Sequence, residues 1–372
     1  MKKYMIEFDY LRVFAALSVI AIHATGWYIY SLGTGYTWNQ LMRYAVPSFI
    51  ILSGLLLYNS DKDKSNFSYF SFLSKRLNKI LIPYLLWSII YAFYNESQKL
   101  VEVRAEGWKF LHNLWNQLIY GTASYHLYFL FIIMQMYLIY PALRWLVKNY
   151  ERKTLIGSFI VTLLLQSADY LSAIGFKILP QSPIRGIPYF MMFPMWIFYF
   201  VFGMVMVSNL DRWKEWVLRH KFLILGLWVV SILTMFIDSK RTNTFSFSSK
   251  PSIIFYTILS FPIMYYLSAK LKGRSEVIDK LVHWVSNQSF YVYLAHPLMM
   301  GLILSEFNRL GLNELLEGRT GVYVFFVTTC SITFLSALVI CLFPLAPFFG
   351  GMQGKGITNI LSRCQINNWH NS

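Results

Sequence analysis

Long apolar segments alternate with short polar segments along most of this chain. A helix rises about 1.5 Å per residue, so about 17–25 mostly apolar residues cross the hydrocarbon core of a bilayer. Ten segments satisfy that length, and this pattern predicts an all-α integral membrane protein with about ten transmembrane helices. The predicted spans lie at about 8–30, 40–58, 79–95, 126–147, 154–175, 189–208, 222–239, 251–269, 284–305 and 320–343.

The composition agrees with a membrane protein. Charged residues make up 13% of the 372 residues, about half the level of a soluble domain, and 56% are hydrophobic. A net charge of +16 would suggest a nucleic-acid partner in a soluble protein. Cytoplasmic loops of membrane proteins collect Lys and Arg, which explains this charge without one. We therefore expect the chain to be surrounded by a lipid bilayer and to bind no nucleic acid.

The distribution of positive charge predicts the orientation. With the N terminus in the cytoplasm, the inner segments hold 21 of the 33 Lys and Arg residues and the outer loops hold ten. This excess on one side is typical of the cytoplasmic face. We expect both termini in the cytoplasm, a transmembrane domain over residues 1–349 and a short cytoplasmic tail over 350–372.

The first predicted span carries charge where hydrocarbon is expected. Its segment "DYLRVFAALSVIAIH" contains Asp9, Arg12 and His23, and a charged residue in a span costs about 2.5–3.5 kcal/mol on insertion scales. Eleven residues make three helical turns plus about 20°, so Arg12 and His23 share one face, about 16 Å apart. Arg12 reaches the inner lipid headgroups, pairs with Asp9 or binds an anion. His23 either makes a structural hydrogen bond or accepts a proton.

Further polar side chains stand at the ends of other predicted spans. They are Arg43 at the outer end of the second span, Lys75, Arg76 and Lys79 at the inner end of the third, His126 at the outer end of the fourth, and Tyr293 and His296 in the ninth. The histidines either assist chemistry from the outer side or form structural hydrogen bonds. Trp27 either stacks on a sugar ring or belongs to the aromatic belt of the membrane interface. The three cysteines and the histidines lack metal-site spacing, so no metal is expected.

Five segments follow one another along the chain: the Arg12-to-His23 spacing, "VPSFIILSGLLL", "KRLNKILIPY", "YFVFGM" and "SFYVYLAHP". In this order they resemble the membrane-bound acyltransferase 3 proteins. The members of that family are multi-span bacterial enzymes that acylate surface glycans, and one branch is involved in poly-N-acetylglucosamine biosynthesis or export. The resemblance covers about residues 10–345.

The resemblance implies roles for individual residues. His23 matches the family's essential histidine and Arg12 its paired basic residue, so both are expected in catalysis. Arg76 and Lys79 match a basic pair attributed to coenzyme A binding, and Lys75 lies beside them. Lys79 stands where arginine is commoner, and lysine lacks the bidentate guanidinium fork.

The expected reaction follows from these roles. An acyl group, acetyl or succinyl, passes from cytoplasmic acyl-CoA to a hydroxyl of an extracytoplasmic surface glycan. Acyl-CoA is expected as a co-substrate and not as a bound cofactor. His23 either acts as a base or carries the acyl group briefly. We expect a multi-pass protein of the bacterial cytoplasmic membrane, with glycan-synthesis proteins as possible partners. The alternative is a polysaccharide exporter or flippase, in which the same polar residues line a path for the polymer.

Overall fold

The structure is a computed structural model that describes residues 5–64, 67–99, 107–180, 182 and 187–350. Thirteen α-helices lie in this part of the chain. They are α1 Glu7–Gly26, α2 Gly33–Leu41, α3 Ala45–Asp61, α4 Tyr69–Ser97, α5 Gly107–Tyr120, α6 Tyr128–Leu171, α7 Ile197–Ser208, α8 Leu210–Arg219, α9 Lys221–Thr242, α10 Pro251–Leu271, α11 Glu276–Arg309, α12 Gly318–Ile340 and α13 Ala346–Gly350. The predicted tail, apart from Gly350, lies outside the described residues.

The prediction of an all-α integral membrane protein is confirmed. Eight helical segments in the described part of the chain are long and apolar enough to cross a membrane. They cover nine of the ten predicted spans, because α6 contains two of them. The chain is therefore a multi-pass membrane protein, and the orientation of its termini stays a prediction.

Helix α6 joins the predicted spans at 126–147 and 154–175. It has 44 residues, with one non-helical residue, Tyr150 (φ −139°, ψ 48°). The segments on either side of Tyr150 each rise about 32 Å, enough to cross a hydrocarbon core of about 30 Å. The predicted polar loop between these spans is thus reduced to a break in the helix at one residue.

The predicted span at 189–208 is wrong over its first half. Two 3₁₀ turns, Tyr189–Met191 and Phe193–Met195, occupy this part, and α7 begins only at Ile197. Pro188 and Pro194 explain the difference, since proline lacks an N–H group and disfavours helix in the preceding residue. An apolar composition fixed the burial of this segment but not its conformation.

The chain divides into two compact units. The first consists of the described parts of Met1–Phe49, Asp211–Ser248 and Ser252–Ser372, and the second of those of Ile50–Leu210 and Ser249–Pro251. In the first unit, α1 packs against α2, α11 and α12. Small residues such as Ala15, Ala16 and Ala24 are almost completely buried there, because they allow neighbouring helices to approach closely.

In the second unit, α7 packs against α6, and its backbone also touches α3. The contact between α3 and α7 is formed by glycines. A Cβ atom on Gly54 would lie 2.1 Å from the carbonyl oxygen of Phe200, and one on Gly203 would lie 2.0 Å from that of Ile51. Each glycine therefore occupies a position where no side chain fits. Both glycines lie in segments that carry the family resemblance.

Candidate active site

Helices α1 and α11 run parallel, and this arrangement builds the site. Asp9 near the start of α1 bonds to His283 and Ser286 near the start of α11. Further along both helices, His23 contacts His296. The number of residues from Asp9 to His23 on α1 is nearly the same as that from His283 to His296 on α11. The two helices therefore run in the same direction over several turns.

The two histidines form a stacked pair. Their ring centroids lie 5.2 Å apart and the rings are inclined by 29°. His296 is completely buried, whereas His23 is partly exposed. The imidazole of His23 therefore faces a buried group of the protein. His23 and His296, which the sequence analysis names as separate candidates, are thus in direct contact.

The hydrogen bond of His296 fixes its tautomer. Its Nδ1 lies 3.1 Å from the carbonyl oxygen of Val292, one turn earlier on α11. A carbonyl oxygen only accepts, so Nδ1 carries the proton, and Nε2 of the neutral ring keeps its lone pair. Tyr293 is buried, and its ring centroid lies 6.2 Å from that of His296. The two rings therefore lie side by side on α11.

Arg43 belongs to a buried polar network beside His23. Its Nε and Nη2 atoms donate to Oδ1 of Asn39 at 3.1 and 2.7 Å, and Nη1 donates to the carbonyl oxygen of Ser246 at 2.7 Å. Asn39 in turn donates to the carbonyl oxygen of Ile22, the residue before His23. The charge of Arg43 is close enough to act on His23 electrostatically.

Arg12 lies at the other end of α1, near Asp9. The distance between Nη1 of Arg12 and Oδ1 of Asp9 is 4.0 Å, so the predicted pairing within the helix is present. Asp9 also accepts hydrogen bonds from Nδ1 of His283 and Oγ of Ser286, both at 2.8 Å. Asn287 bonds to the other nitrogen of His283. Asp9 thus holds Arg12 and the start of α11 in one cluster.

Two more contacts join the start of α1 to the segment that runs from the end of α10 into the first turn of α11. The hydroxyl of Tyr10 donates to Asp279 at 2.7 Å, and Lys272 forms an ion pair with the buried carboxylate of Glu7. The carboxylate of Asp279 also accepts a hydrogen bond from the backbone N–H of Gly273. The contact between Tyr10 and Asp279, together with those of Asp9, supports the parallel alignment of α1 and α11 that brings the two histidines together.

The aromatic residues after His23 divide into two groups. The hydroxyl of Tyr36 donates a hydrogen bond to the carbonyl oxygen of Phe236, and Nε1 of Trp38 donates one to the hydroxyl of Tyr323. These bonds fix the positions of both side chains. Trp27 is 66% exposed. Tyr30 is 78% exposed and Trp38 39%, so Trp27 is one of three aromatic residues in this stretch whose rings are exposed.

The predicted donor-binding residues lie in the second unit. Lys75, Arg76 and Lys79 occupy neighbouring positions near the start of α4, with Lys75 and Lys79 exposed and Arg76 partly exposed. Three positive charges on adjacent turns suit a polyanion such as the phosphates of coenzyme A. In the described part of the chain, no group of three or more His, Cys, Asp or Glu side chains is arranged to hold a metal ion.

His126 also belongs to the second unit. It is buried, its Nδ1 lies 3.0 Å from Oγ of Ser124, and its ring packs against Tyr91 and Tyr125. These contacts give His126 a structural environment. His126 is therefore not part of the histidine pair, which consists of His23 and His296 in the first unit.

Sequence reasoning missed several residues of this network. His283, Ser286 and Asn39 were not singled out. The polar residues at 283 and 286 at the start of the ninth predicted span offered a partial indication, since Asp9 and Arg12 require polar partners. No spacing in the sequence showed that those partners come from a helix more than 270 residues away.

Comparison with known proteins identifies the family. The family model Acyl_transf_3, described as "Acyltransferase domain", matches residues 5–343. A "Probable poly-beta-1,6-N-acetyl-D-glucosamine export protein" of Staphylococcus aureus (strain Mu50 / ATCC 700699) is 24% identical over 331 residues, which cover 83% of this chain and 86% of the relative.

A second relative has an enzyme name. The "Putative membrane-bound acyltransferase YfiQ" of Bacillus subtilis (strain 168) is 25% identical over 308 residues, which cover 79% of this chain and 80% of the relative. No solved structure matches the chain. The match of the family model over nearly the whole chain confirms the resemblance: this chain belongs to the acyltransferase 3 family and is a membrane-bound acyltransferase.

Proposed function

We propose that this enzyme transfers an acetyl or succinyl group from cytoplasmic acyl-CoA to a hydroxyl of a cell-surface glycan, in the bacterial cytoplasmic membrane. The observation that carries the proposal is the stacked pair of His23 and His296 inside a membrane-spanning unit. Imidazole changes protonation near neutral pH, which suits a group that must accept and return a proton. With the N terminus inside, His23 lies in the outer half of α1, where His296 of α11 packs against it.

In the direct route, His23 acts as a general base. The acceptor hydroxyl oxygen attacks the thioester carbonyl carbon while its proton passes to His23. The C–S bond then breaks, and the proton moves from His23 to the sulfur of coenzyme A. His296 is a positioning residue in this scheme, since its ring packs against His23 and its own orientation is fixed by Val292.

The covalent route uses the same residue as a nucleophile. The unprotonated nitrogen of His23 attacks the thioester carbon, the C–S bond breaks, and the sulfur of coenzyme A takes the proton from the other ring nitrogen. The acceptor hydroxyl oxygen then attacks the acyl carbon, the C–N bond breaks, and the hydroxyl proton returns to the imidazole. Both routes require His23. Incubation with labelled donor and no acceptor separates them, because only the covalent route leaves label on the protein.

Two arginines supply positive charge to the reaction. Arg43 acts on the surroundings of His23, where it would favour the negative oxygen that develops on the thioester carbonyl. Arg12 contacts Asp9 at 4.0 Å through one nitrogen, at the cytoplasmic end of α1 in the proposed orientation. We assign Arg12 to an anionic part of the donor, since a guanidinium forms bidentate bonds to phosphate.

The phosphates of the donor are assigned to Lys75, Arg76 and Lys79. Their exposure and their spacing along one helix support this assignment. Lys79 neutralises charge without the fork of arginine, so Arg76 is expected to be the more directional of the two contacts.

A transfer assay tests the proposal. Purified protein in nanodiscs is incubated with radiolabelled acetyl- or succinyl-CoA and an oligomer of β-1,6-linked N-acetylglucosamine, a glycan chosen from the name of the relatives. Replacing a general base costs about 10²–10⁴-fold in rate, so His23→Ala should abolish measurable transfer. His112→Ala is the matched control, because His112 is exposed on α5. Equal activity of both variants would refute the role of His23.

The name of the Staphylococcus aureus relatives supports a second candidate, export of a surface polysaccharide. The two functions differ in what they consume. An exporter moves glycan into proteoliposomes or out of them without cleaving acyl-CoA, whereas the proposed enzyme releases one coenzyme A thiol for each acyl group transferred. Thiol release measured together with glycan movement decides between them.

A further inference from the structure

A cavity of about 420 Å³ opens at the C-terminal end of α1, and all of its lining residues belong to the first unit. Its wall combines aromatic, aliphatic and polar side chains. The lining residues are Trp27, Tyr28, Ser31, Leu32, Leu304, Asn313, Leu316, Glu317, Gly318 and Phe325. The volume falls within the range of small-molecule sites in proteins.

The cavity lies next to the histidine pair along the helix axis. Trp27 follows His23 by four residues, which places it about 6 Å further along α1 and within about 40° of the same face. On the parallel helix α11, Leu304 follows His296 by eight residues. Both helices therefore lead from the histidine pair to this cavity.

The walls of the cavity are fixed by the fold. The hydroxyl of Tyr28 donates to the carbonyl oxygen of Leu316 at 2.8 Å, and its ring packs edge-on against Phe325. Leu316 and Phe325 belong to an apolar cluster that also contains Ala24, the residue after His23. Trp27, which is 66% exposed, forms a flat apolar surface at this rigid site.

The polar side chains of the rim suit an uncharged, hydroxyl-rich ligand. Glu317 is exposed, and although it precedes the first residue of α12, its carboxylate makes no capping hydrogen bond. Asn313 and Ser31 add amide and hydroxyl groups. Among the described residues that line the cavity there is one carboxylate and no Lys, Arg or His, which disfavours an anionic ligand. A pyranose matches this lining, since its C–H face packs on an aromatic ring and its hydroxyls bond to carboxylate and amide groups.

We propose that this cavity binds a neutral sugar unit of the acceptor glycan, the unit next to the one that is acylated. The inference rests on the proposed function for the position of the reaction at His23. The separation between Trp27 and His23 along α1 is comparable to the length of one sugar unit. A glycan held at Trp27 thus presents its neighbouring sugar to the histidine pair. The enzyme therefore prefers an oligosaccharide to a monosaccharide.

Acceptor kinetics test this inference. Transfer is measured with N-acetylglucosamine and with its β-1,6-linked oligomer, at fixed acyl-CoA, for Trp27→Ala, Trp27→Phe and Glu317→Gln. Trp27→Ala and Glu317→Gln should raise KM for the oligomer about tenfold and leave the monosaccharide and donor KM values unchanged. Trp27→Phe should retain most of the oligomer affinity. Glu314→Gln and Trp108→Ala are the controls, since both residues are exposed and neither lines the cavity.

The outcomes separate this inference from the proposed function. If His23→Ala abolishes transfer while the Trp27 and Glu317 variants keep wild-type kinetics with the oligomer, the cavity assignment is overturned and the proposed reaction stands. If wild-type protein shows no transfer, binding of the oligomer is measured by saturation-transfer NMR without donor. Loss of that binding in Trp27→Ala supports the sugar site, and unchanged binding overturns it.

Discussion

The glycine contact between α3 and α7 gives the sharpest test of the packing in the second unit. Replacing Gly54 with alanine places a methyl group 2.1 Å from the carbonyl oxygen of Phe200, and replacing Gly203 places one 2.0 Å from that of Ile51. Both obstacles are backbone atoms, which cannot rotate away. Each substitution must therefore push the two helices apart.

The size of the effect follows from these distances. Relief of either clash requires a shift of about 1 Å, since real Cβ contacts almost never fall below 3.0 Å. A gap of that size removes about a quarter to a half of the dispersion energy between the separated surfaces. Overpacking a well-packed contact costs about 1–3 kcal/mol, and the upper end applies because backbone must move. At about 2–4 °C per kcal/mol, the value for a cooperative unit of about 150–250 residues such as the second unit, the melting temperature should fall by about 6–12 °C.

The assay is thermal unfolding of purified protein in one detergent, followed by fluorescence-detected size exclusion. Gly157→Ala and Gly226→Ala are the matched controls, because both glycines lie within helices and an added Cβ atom meets nothing within 4 Å. Alanine is the better helix former, so these controls should be neutral or stabilising by up to about 1 kcal/mol. Equal melting temperatures for Gly54→Ala, Gly203→Ala and the controls would refute the contact.

Three further predictions concern the polar residues. Arg76→Gln and Lys79→Gln should each raise the donor KM about 10–100-fold, because each substitution removes a hydrogen bond from a charged group, and should leave the acceptor KM unchanged. Equal effects on the KM values of both substrates would argue against a donor site there. Arg43→Gln should lower the free energy of unfolding by about 2 kcal/mol, because Asn39 loses its two charged donors, and a thermal melt that matches wild type would contradict this. Asp9→Asn should lower both thermal stability and kcat, because it weakens the link between α1 and α11, whereas unchanged values of both would remove its positioning role.

Much of the fold followed from the sequence because hydrocarbon imposes a simple rule. Backbone polar groups must be satisfied within the span, so a long apolar segment becomes a helix. The rule failed only where local chemistry opposed it. Pro188 and Pro194 prevent a helix in the first half of the segment 189–208, and the short polar stretch around Tyr150 breaks α6 without forming a separate loop.

Individual residues of the candidate site could be predicted from the sequence, but the contacts between them could not. Arg12 and His23 were expected on one face of the first helix, because helical periodicity is a local property. His296 stands in the ninth predicted span, and nothing in the sequence indicates which residue it contacts. The contact between His23 and His296 depends on α1 and α11 lying parallel, which is set by Asp9 and its partners at the helix ends.

The sequence by itself determined that this chain lies in a membrane as a set of helices, and which of its polar residues require an explanation. Those properties depend on composition and on short-range periodicity, and both can be determined from the sequence alone. Only the tertiary structure decided which helices are neighbours, which glycines meet a carbonyl oxygen, and that two histidines stack. Such contacts join residues far apart in sequence, and their geometry arises from the packing of whole helices.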